Sequence, residues 1–159
     1  DKLVAIDTYS ADVKGINTDL THTISFNTNI DIEVEIDGIF PAPLYADYPI
    51  NVISLYDTYT NNVIVWLYNK NIDQEFTKTH ETDIANEIKK QYDENIKQVI
   101  FCCFDKEYQM LEDFLTYWEH NYPDIITGWN INKFDILYIV NRIIKILGER
   151  KSISIISNQ

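Results

Sequence analysis

The chain has few residues that break regular structure or form cross-links: 4 Gly, 4 Pro and 2 Cys among 159 residues. Such small numbers of Gly and Pro exclude a collagen-like or low-complexity chain. The two cysteines, Cys102 and Cys103, are adjacent in an apolar stretch. Because neighbouring side chains of a strand point to opposite faces, a disulfide between them would be strained. We therefore expect two free thiols, which suits a reducing compartment.

Basic residues are also scarce, since 13 Lys and Arg face 25 Asp and Glu and the formal net charge is −12. A free-standing nucleic-acid binder normally carries a basic stripe, because phosphate neutralisation supplies most of its affinity. If this chain binds DNA, most of the binding energy must come from metal ions, from ring stacking or from another domain. We expect no membrane partner, because there is no signal peptide and no apolar run of about 20 residues. The chain begins with Asp1 rather than Met, which suggests a piece of a longer protein.

The composition nevertheless indicates a folded globule, with 45% hydrophobic and 13% aromatic residues. The length fits one domain with a sizeable core. Apolar periodicity predicts strands at about 24–36, 50–56, 63–68, 99–104 and 125–127, and helices within 81–95, after Asp105 and over 135–147. The stretch 99–104 is apolar on both parities, which is typical of a central strand.

This order of elements favours an α/β fold with a ribonuclease-H-like mixed sheet flanked by helices. An antiparallel three-strand meander would lie beside parallel strands joined by crossovers, with the first long strand at the centre. Residues 1–21 are weakly patterned, and we treat them as a lead-in of uncertain role. We expect the domain itself over residues 22–159.

The first long strand carries acidic residues at every second position, in the run Asp31-Ile32-Glu33-Val34-Glu35-Ile36-Asp37. Alternation of this kind predicts a strand with one buried face. Its carboxylates would be roughly 6.6 Å apart along one face, and they repel each other unless a cation lies between them. Hard oxygen ligands suit Mg²⁺ or Mn²⁺. The alternative, which this segment alone favours, is the solvated face of an edge strand.

A second acidic position, Asp135, lies at the junction of a loop and a helix. It is either a helix cap or a carboxylate that the helix dipole keeps ionised for a cation. In the same loop, Asn130 and Phe134 are either a turn former and a core ring, or an amide and a ring that hold a nucleotide. Phe40, between Gly38 and Pro41, is either a plug over the core, which its setting favours, or an exposed stacking ring.

The remaining chemistry-bearing residues show no site. Trp66, Trp118 and Trp129 are predicted to lie in the core or to cover the sheet. The three histidines are isolated, and no Ser-His-Asp or Cys-His arrangement and no glycine-rich phosphate loop is found.

Several segments together carry a resemblance to a known family. Asp31-Ile32-Glu33-Val34 resembles the first exonuclease motif of family B DNA polymerases, and the segment from Asn130 to Asp135 resembles the second. Further segments are similar to the T-even bacteriophage form of that domain: 37–43, 48–50, 127–130, 138–142 and 147–150. The likeness covers about residues 30 to 150.

The resemblance implies a 3′-5′ proofreading exonuclease domain of a phage-type DNA polymerase. It implies that Asp31, Glu33 and Asp135 ligate two Mg²⁺ or Mn²⁺ ions and act as catalytic residues. It implies that Phe40, Asn130 and Phe134 bind the single-stranded 3′ end of primer DNA. The other implied partners are the remaining polymerase domains, and the implied location is the cytoplasm of an infected host cell.

Family members also need a third motif, Tyr-x-x-x-Asp, which this sequence does not contain. We therefore expect a C-terminally incomplete domain that cuts DNA weakly or not at all, because three carboxylates hold two divalent ions less well than four. Two alternatives stay open: a stand-alone ribonuclease-H-like nuclease, and a non-catalytic interaction domain with relic acidic residues.

Overall fold

The computed structural model describes residues 4–5, 27–35, 38, 40–93 and 95–149. Within these ranges the chain forms a six-stranded sheet and three helices. The strands are β1 (Val4–Ala5), β2 (Asn27–Val34), β3 (Ile50–Asp57), β4 (Asn62–Tyr68), β5 (Gln98–Phe104) and β6 (Ile125–Thr127). The helices are α1 (Gln74–Gln91), α2 (Glu107–His120) and α3 (Asp135–Leu147).

The strand order is β1-β6-β2-β3-β4-β5. Strands β2, β3 and β4 form the antiparallel meander, while β5 pairs parallel with β4 and β6 pairs parallel with β2. This confirms the predicted ribonuclease-H-like mixed sheet with the acidic strand at its centre. It also excludes the edge-strand interpretation of β2. Strand β1 falls in the predicted lead-in and pairs parallel with β6, and the domain boundary near residue 21 stays a prediction.

The core lies on one face of the sheet, beneath α2 and α3. Ile30 and Ile32 of β2 are buried there, opposite Leu55 and Ile53 of β3. Aromatic and aliphatic side chains of the two helices complete the cluster: Met110, Leu111, Phe114, Trp118, Tyr138, Ile139 and Ile143. Each buried aliphatic side chain contributes roughly 1.5–3 kcal/mol, so the apolar parity of β2 decides which face its acidic residues occupy.

Strand β5 corrects one prediction, because it lies at the edge of the sheet and not at its centre. Its apolar pattern on both parities has another cause: α1 and α2 both pack against it, which leaves most of its residues half-buried. Cys102 and Cys103 lie in this strand as free thiols, as predicted, and burial raises the pKa of Cys102 to about 11.

Two helix starts also differ from the predictions. Helix α1 begins at Gln74 and ends at Gln91. The helix predicted within 81–95 therefore covers only the second half of α1. Asp105 does not cap α2, because the N-cap is Lys106, whose backbone is extended, and no side chain caps the helix. In the described part of the chain, no helix combines the length and apolar character needed to cross a membrane.

Candidate metal and nucleic-acid site

Asp31 and Glu33 extend from the face of β2 opposite to the core. Both side chains are exposed, while Ile30 and Ile32 between and beside them are buried, as the alternation predicted. The antiparallel partners Ser54 and Val52 of β3 lie beside them and bring no basic side chain. No cation from the neighbouring strand therefore offsets the charge of these two carboxylates.

Strand pairing leaves room for a third carboxylate beside them. The parallel ladder between β2 and β6 ends at the pair Asn29 and Thr127, but β2 continues to Val34. Beyond that pair, the β6-facing edge of β2 is open to side chains from the loop and from α3. The backbone N–H of Ile32 donates a hydrogen bond to the carboxylate of Asp135.

Gly128 allows the chain to make this approach. A Cβ atom placed on Gly128 would lie 2.4 Å from the carbonyl oxygen of Ile30, well inside van der Waals contact. Only glycine lets the loop after β6 pass so close to β2. The loop then turns at Asn130 and places Asp135 at the edge of β2.

Asp135 is buried, with 3% of its surface exposed. Burial and the negative charges of Asp31 and Glu33 together raise the pKa of Asp135 to about 6, against two backbone N–H donors that lower it. The Oδ2 atom of Asp135 is buried without a hydrogen-bond partner. An ionised carboxylate in this setting is only partly compensated by its two N–H donors, and a cation would supply a partner for Oδ2.

The helix-cap interpretation of Asp135 is wrong. The N-cap of α3 is Phe134, no side chain caps the helix, and Asp135 is the first helical residue. Its carboxylate accepts hydrogen bonds from its own backbone N–H and from that of Ile32 on the neighbouring strand. The favourable helix dipole still acts on it, because the negative charge lies in the first turn.

The carboxylates of Asp31, Glu33 and Asp135 are not arranged to bind one metal ion together. Across the described ranges, no group of three or more His, Cys, Asp or Glu side chains is arranged to hold a metal ion. Asp31 and Glu33 extend from one face of β2, whereas α3 packs on the other face. Sharing an ion with Asp135 therefore requires these two exposed side chains to turn toward the strand edge.

An aromatic pair lies near this edge. Phe40 is 71% exposed, so the plug interpretation is wrong. Its ring centroid is 5.2 Å from that of Phe134, whose ring is in turn 5.4 Å from that of Tyr138. This geometry leaves much of the Phe40 ring open to solvent, where a flat apolar group can stack on it.

Asn130 forms the turn of the loop, as one of its two interpretations predicted. Its φ angle is 59°, and its carbonyl oxygen accepts hydrogen bonds from the N–H groups of Lys133 and Phe134. Asparagine tolerates this left-handed conformation better than most residues. The side chain of Asn130 is exposed, and its contact with a nucleotide stays a prediction.

Trp129 is the aromatic residue that the sequence placed wrongly. It is 80% exposed, whereas Trp66 and Trp118 are buried as predicted. Trp129 borders a groove of about 720 Å³, which is also lined by Asp31 and by Tyr92, the residue after α1.

Comparisons with known proteins agree with this fold. The sequence profile of the DNA polymerase family B exonuclease domain matches residues 3–157. The DNA-directed DNA polymerase of Escherichia phage RB69 is 34% identical over 152 residues, and that of Enterobacteria phage T4 is 37% identical over 129 residues. The DNA polymerase delta catalytic subunit of Drosophila melanogaster is 50% identical over 40 residues, which are 25% of this chain and 4% of that protein.

The chain belongs to the exonuclease-domain family of the family B DNA polymerases. The matches cover 90% and 77% of this chain but only 16% and 14% of the two phage polymerases. The chain thus spans about one sixth of the length of these relatives.

Proposed function

We propose that this chain is the part of a proofreading exonuclease domain that receives the unpaired 3′ end of a primer strand. The observation that carries the proposal is the buried carboxylate of Asp135 at the edge of β2, close enough to Asp31 and Glu33 for their charges to raise its pKa. Carboxylates from distant parts of a chain gain nothing from such proximity unless a positive group joins them.

Asp31, Glu33 and Asp135 would hold Mg²⁺ or Mn²⁺, because all three offer hard oxygen atoms. The unpartnered Oδ2 of Asp135 fits this role, since a buried carboxylate oxygen needs a donor or a cation. A pair of bound ions would activate the attacking water and stabilise the leaving oxygen of the terminal phosphodiester. The N–H group of Ile32, which donates to the Asp135 carboxylate, would help to hold its orientation.

Phe40 and Phe134 would hold the terminal bases by stacking, with Asn130 beside them. Base-to-ring stacking is worth about 1–3 kcal/mol per base and does not depend on sequence. Selection of mispaired ends would then rest on fraying of the duplex, because a melted end reaches the rings more easily. No readout of base edges is required.

The charge of the chain indicates what it needs from its partners. A net charge of −12 opposes DNA binding at long range. We propose that the remaining polymerase domains supply the basic surface that brings the primer end to this site. A bound divalent ion would locally offset the repulsion between the phosphate and the three carboxylates.

We also propose that this chain by itself cuts DNA weakly or not at all. Its sequence contains no aspartate after Asp135 and no Tyr-x-x-x-Asp. With three carboxylates, the two ions would be incompletely balanced and loosely placed.

The test measures release of the 3′ nucleotide from a labelled single-stranded primer with Mn²⁺. We expect slow or absent release by this chain and clear release by a chain extended through a Tyr-x-x-x-Asp sequence. Asp31→Ala should abolish the activity of the extended chain, while the exposed Asp83→Asn on α1 serves as the matched control. An extended, folded chain that stays inactive, or activity that survives Asp31→Ala, would contradict the proposal.

A non-catalytic interaction domain is the second candidate, and the absence of a preformed metal-binding group in the described ranges favours it. Mn²⁺ binding separates the two functions. Binding that Asp31→Ala leaves unchanged would favour the interaction domain.

A further inference from the structure

The segment 41–49 joins Phe40 to β3 and contains no helix or strand. Its backbone is nevertheless held by specific hydrogen bonds. Ala46 in this segment is fully buried and has a φ angle of 43°, an uncommon conformation for a residue with a Cβ atom. An irregular buried segment keeps one conformation only where its backbone groups find partners. These partners come from α3.

One stripe of α3 supplies most of the hydrogen bonds to this segment. Asn141 Nδ2 donates to the carbonyl oxygen of Pro43 at 3.0 Å, and Lys145 Nζ donates to that of Tyr45 at 3.3 Å. Arg142 Nη1 donates to the carbonyl oxygens of Ala46 and Asp47 at 2.9 and 3.1 Å. The hydroxyl of Tyr138 accepts from the N–H of Tyr48 at 3.1 Å and donates to its carbonyl oxygen at 2.8 Å.

Tyr138, Asn141, Arg142 and Lys145 are spaced by three and four residues, so they lie on one face of α3. We call these four the clamp residues. Asp135 precedes Tyr138 by three residues and begins the same face. A single helix therefore holds both the candidate metal ligand and the segment that carries Phe40.

Arg142 is the buried centre of the clamp. It forms a bidentate ion pair with Glu107 of α2, at 2.8 Å from Nε to Oε1 and 2.7 Å from Nη2 to Oε2. Glu107 Oε1 also accepts the backbone N–H of Ile50, at the point where β3 begins. The exposed pair of Lys145 with Asp47 adds little by comparison, because water screens it.

Tyr138 connects the clamp to the stacking rings. Its hydroxyl holds Tyr48, while its ring contacts Phe134, on which Phe40 lies. We propose that the clamp residues are positioning residues that fix the Phe40 ring over Phe134 and so set the place of the terminal base relative to Asp135. This inference rests on the proposed function, because it assumes that Phe40 receives a base.

The test uses Tyr138→Phe and Asn141→Ala, which remove clamp hydrogen bonds and leave the buried ion pair intact. Arg142 is not replaced here, since its loss would leave the buried Glu107 uncompensated and threaten the fold. Thr60→Val is the matched control, because it removes a hydroxyl bonded to Asp57 at the opposite end of β3.

The first measurement is the NMR shift of the Phe40 ring protons, to which the nearby Phe134 ring contributes. We expect both clamp variants to move this shift toward its value in Phe134→Leu, and Thr60→Val to leave it unchanged. A Phe40 shift identical to wild type in both clamp variants would overturn the inference.

The second measurement is the ratio of dissociation constants for two short single-stranded DNAs, one with a 3′-terminal adenine and one with a 3′-terminal abasic sugar. We expect wild type to favour the base-bearing end about tenfold, within the range of one stacked base. The clamp variants should lose most of this ratio, and Tyr138→Phe should lower it no further when Phe40→Ala is present. A merely structural role would lower the melting temperature and leave the ratio intact.

The two measurements separate the inference from the proposed function. A wild-type ratio near one, with clamp variants that move the Phe40 ring, would overturn base stacking at Phe40 and leave the clamp as a positioning device. A wild-type ratio near ten that the clamp variants preserve would overturn the clamp and leave the stacking.

Discussion

Asp135→Asn should stabilise the metal-free protein at neutral pH. Burial and the charges of Asp31 and Glu33 raise the pKa of Asp135 from 3.8 to about 6. A rise of this size in the pKa corresponds to about 3 kcal/mol of destabilisation of the ionised folded state. The substitution removes that charge and keeps an oxygen that accepts the N–H of Ile32.

The net gain is smaller than this figure, because the negative charge also interacts favourably with the N-terminus of α3, by about 0.5–1 kcal/mol. We expect about 2 kcal/mol, which for a chain of this size raises the melting temperature by about 4–8 °C. Urea unfolding with EDTA present, at several pH values, measures the difference between the variant and wild type.

The sign of the pH dependence follows from the raised pKa of Asp135. Well below the unfolded pKa of 3.8 the carboxyl is protonated in both folded and unfolded wild type, so the variant gains nothing. The gain should grow as pH rises from 4 through 6 and stay constant above. Asp83→Asn, on the exposed face of α1, should change stability by less than about 0.5 kcal/mol. A variant less stable than wild type at pH 8, or a difference independent of pH, would refute the electrostatic description of this site.

Three further substitutions test other parts of the structure. Gly128→Ala should destabilise the protein by about 1–3 kcal/mol in urea unfolding, because the added Cβ clashes with the carbonyl oxygen of Ile30. Unchanged stability would contradict the close approach of the two backbones. Phe40→Ala should change the free energy of unfolding by less than about 0.5 kcal/mol, because the ring is mostly exposed. A loss above about 2 kcal/mol would instead support the interpretation of Phe40 as a plug over the core. Arg142→Leu should lower the free energy of unfolding by about 3–5 kcal/mol, because it leaves Glu107 buried and unpaired. Adding Glu107→Leu should recover part of that loss. If it recovers none, the broken ion pair does not cause the destabilisation.

The sequence predicted the sheet well, because its signal is local. Alternating polarity around Asp31 defines a half-buried strand wherever the rest of the chain lies, and the short gap between the apolar stretches 50–56 and 63–68 indicates a hairpin. These elements, with α3 and its apolar stripe, led to the correct fold class. They also placed Asp31 and Glu33 on the face away from the core.

The sequence failed where long-range packing decides. The edge position of β5 depends on its pairing with β4, and an apolar run gives no sign of whether a further strand follows. The exposure of Phe40 and Trp129 depends on how the loops that carry them lie against the rest of the chain, which no local pattern reveals. The roles of Glu107 and Arg142 were missed for the same reason, since a single charge in each of two helices does not reveal a buried pair.

The central claim is that Asp31, Glu33 and Asp135 share a divalent cation. Its most direct test is a titration of Mn²⁺ followed by electron paramagnetic resonance, with wild type, Asp31→Asn, Glu33→Gln and Asp135→Asn compared at pH 8. We predict that wild type binds Mn²⁺ and that each substitution weakens binding at least about tenfold, because each removes a charged ligand. Equal binding by wild type and Asp135→Asn would contradict the shared site.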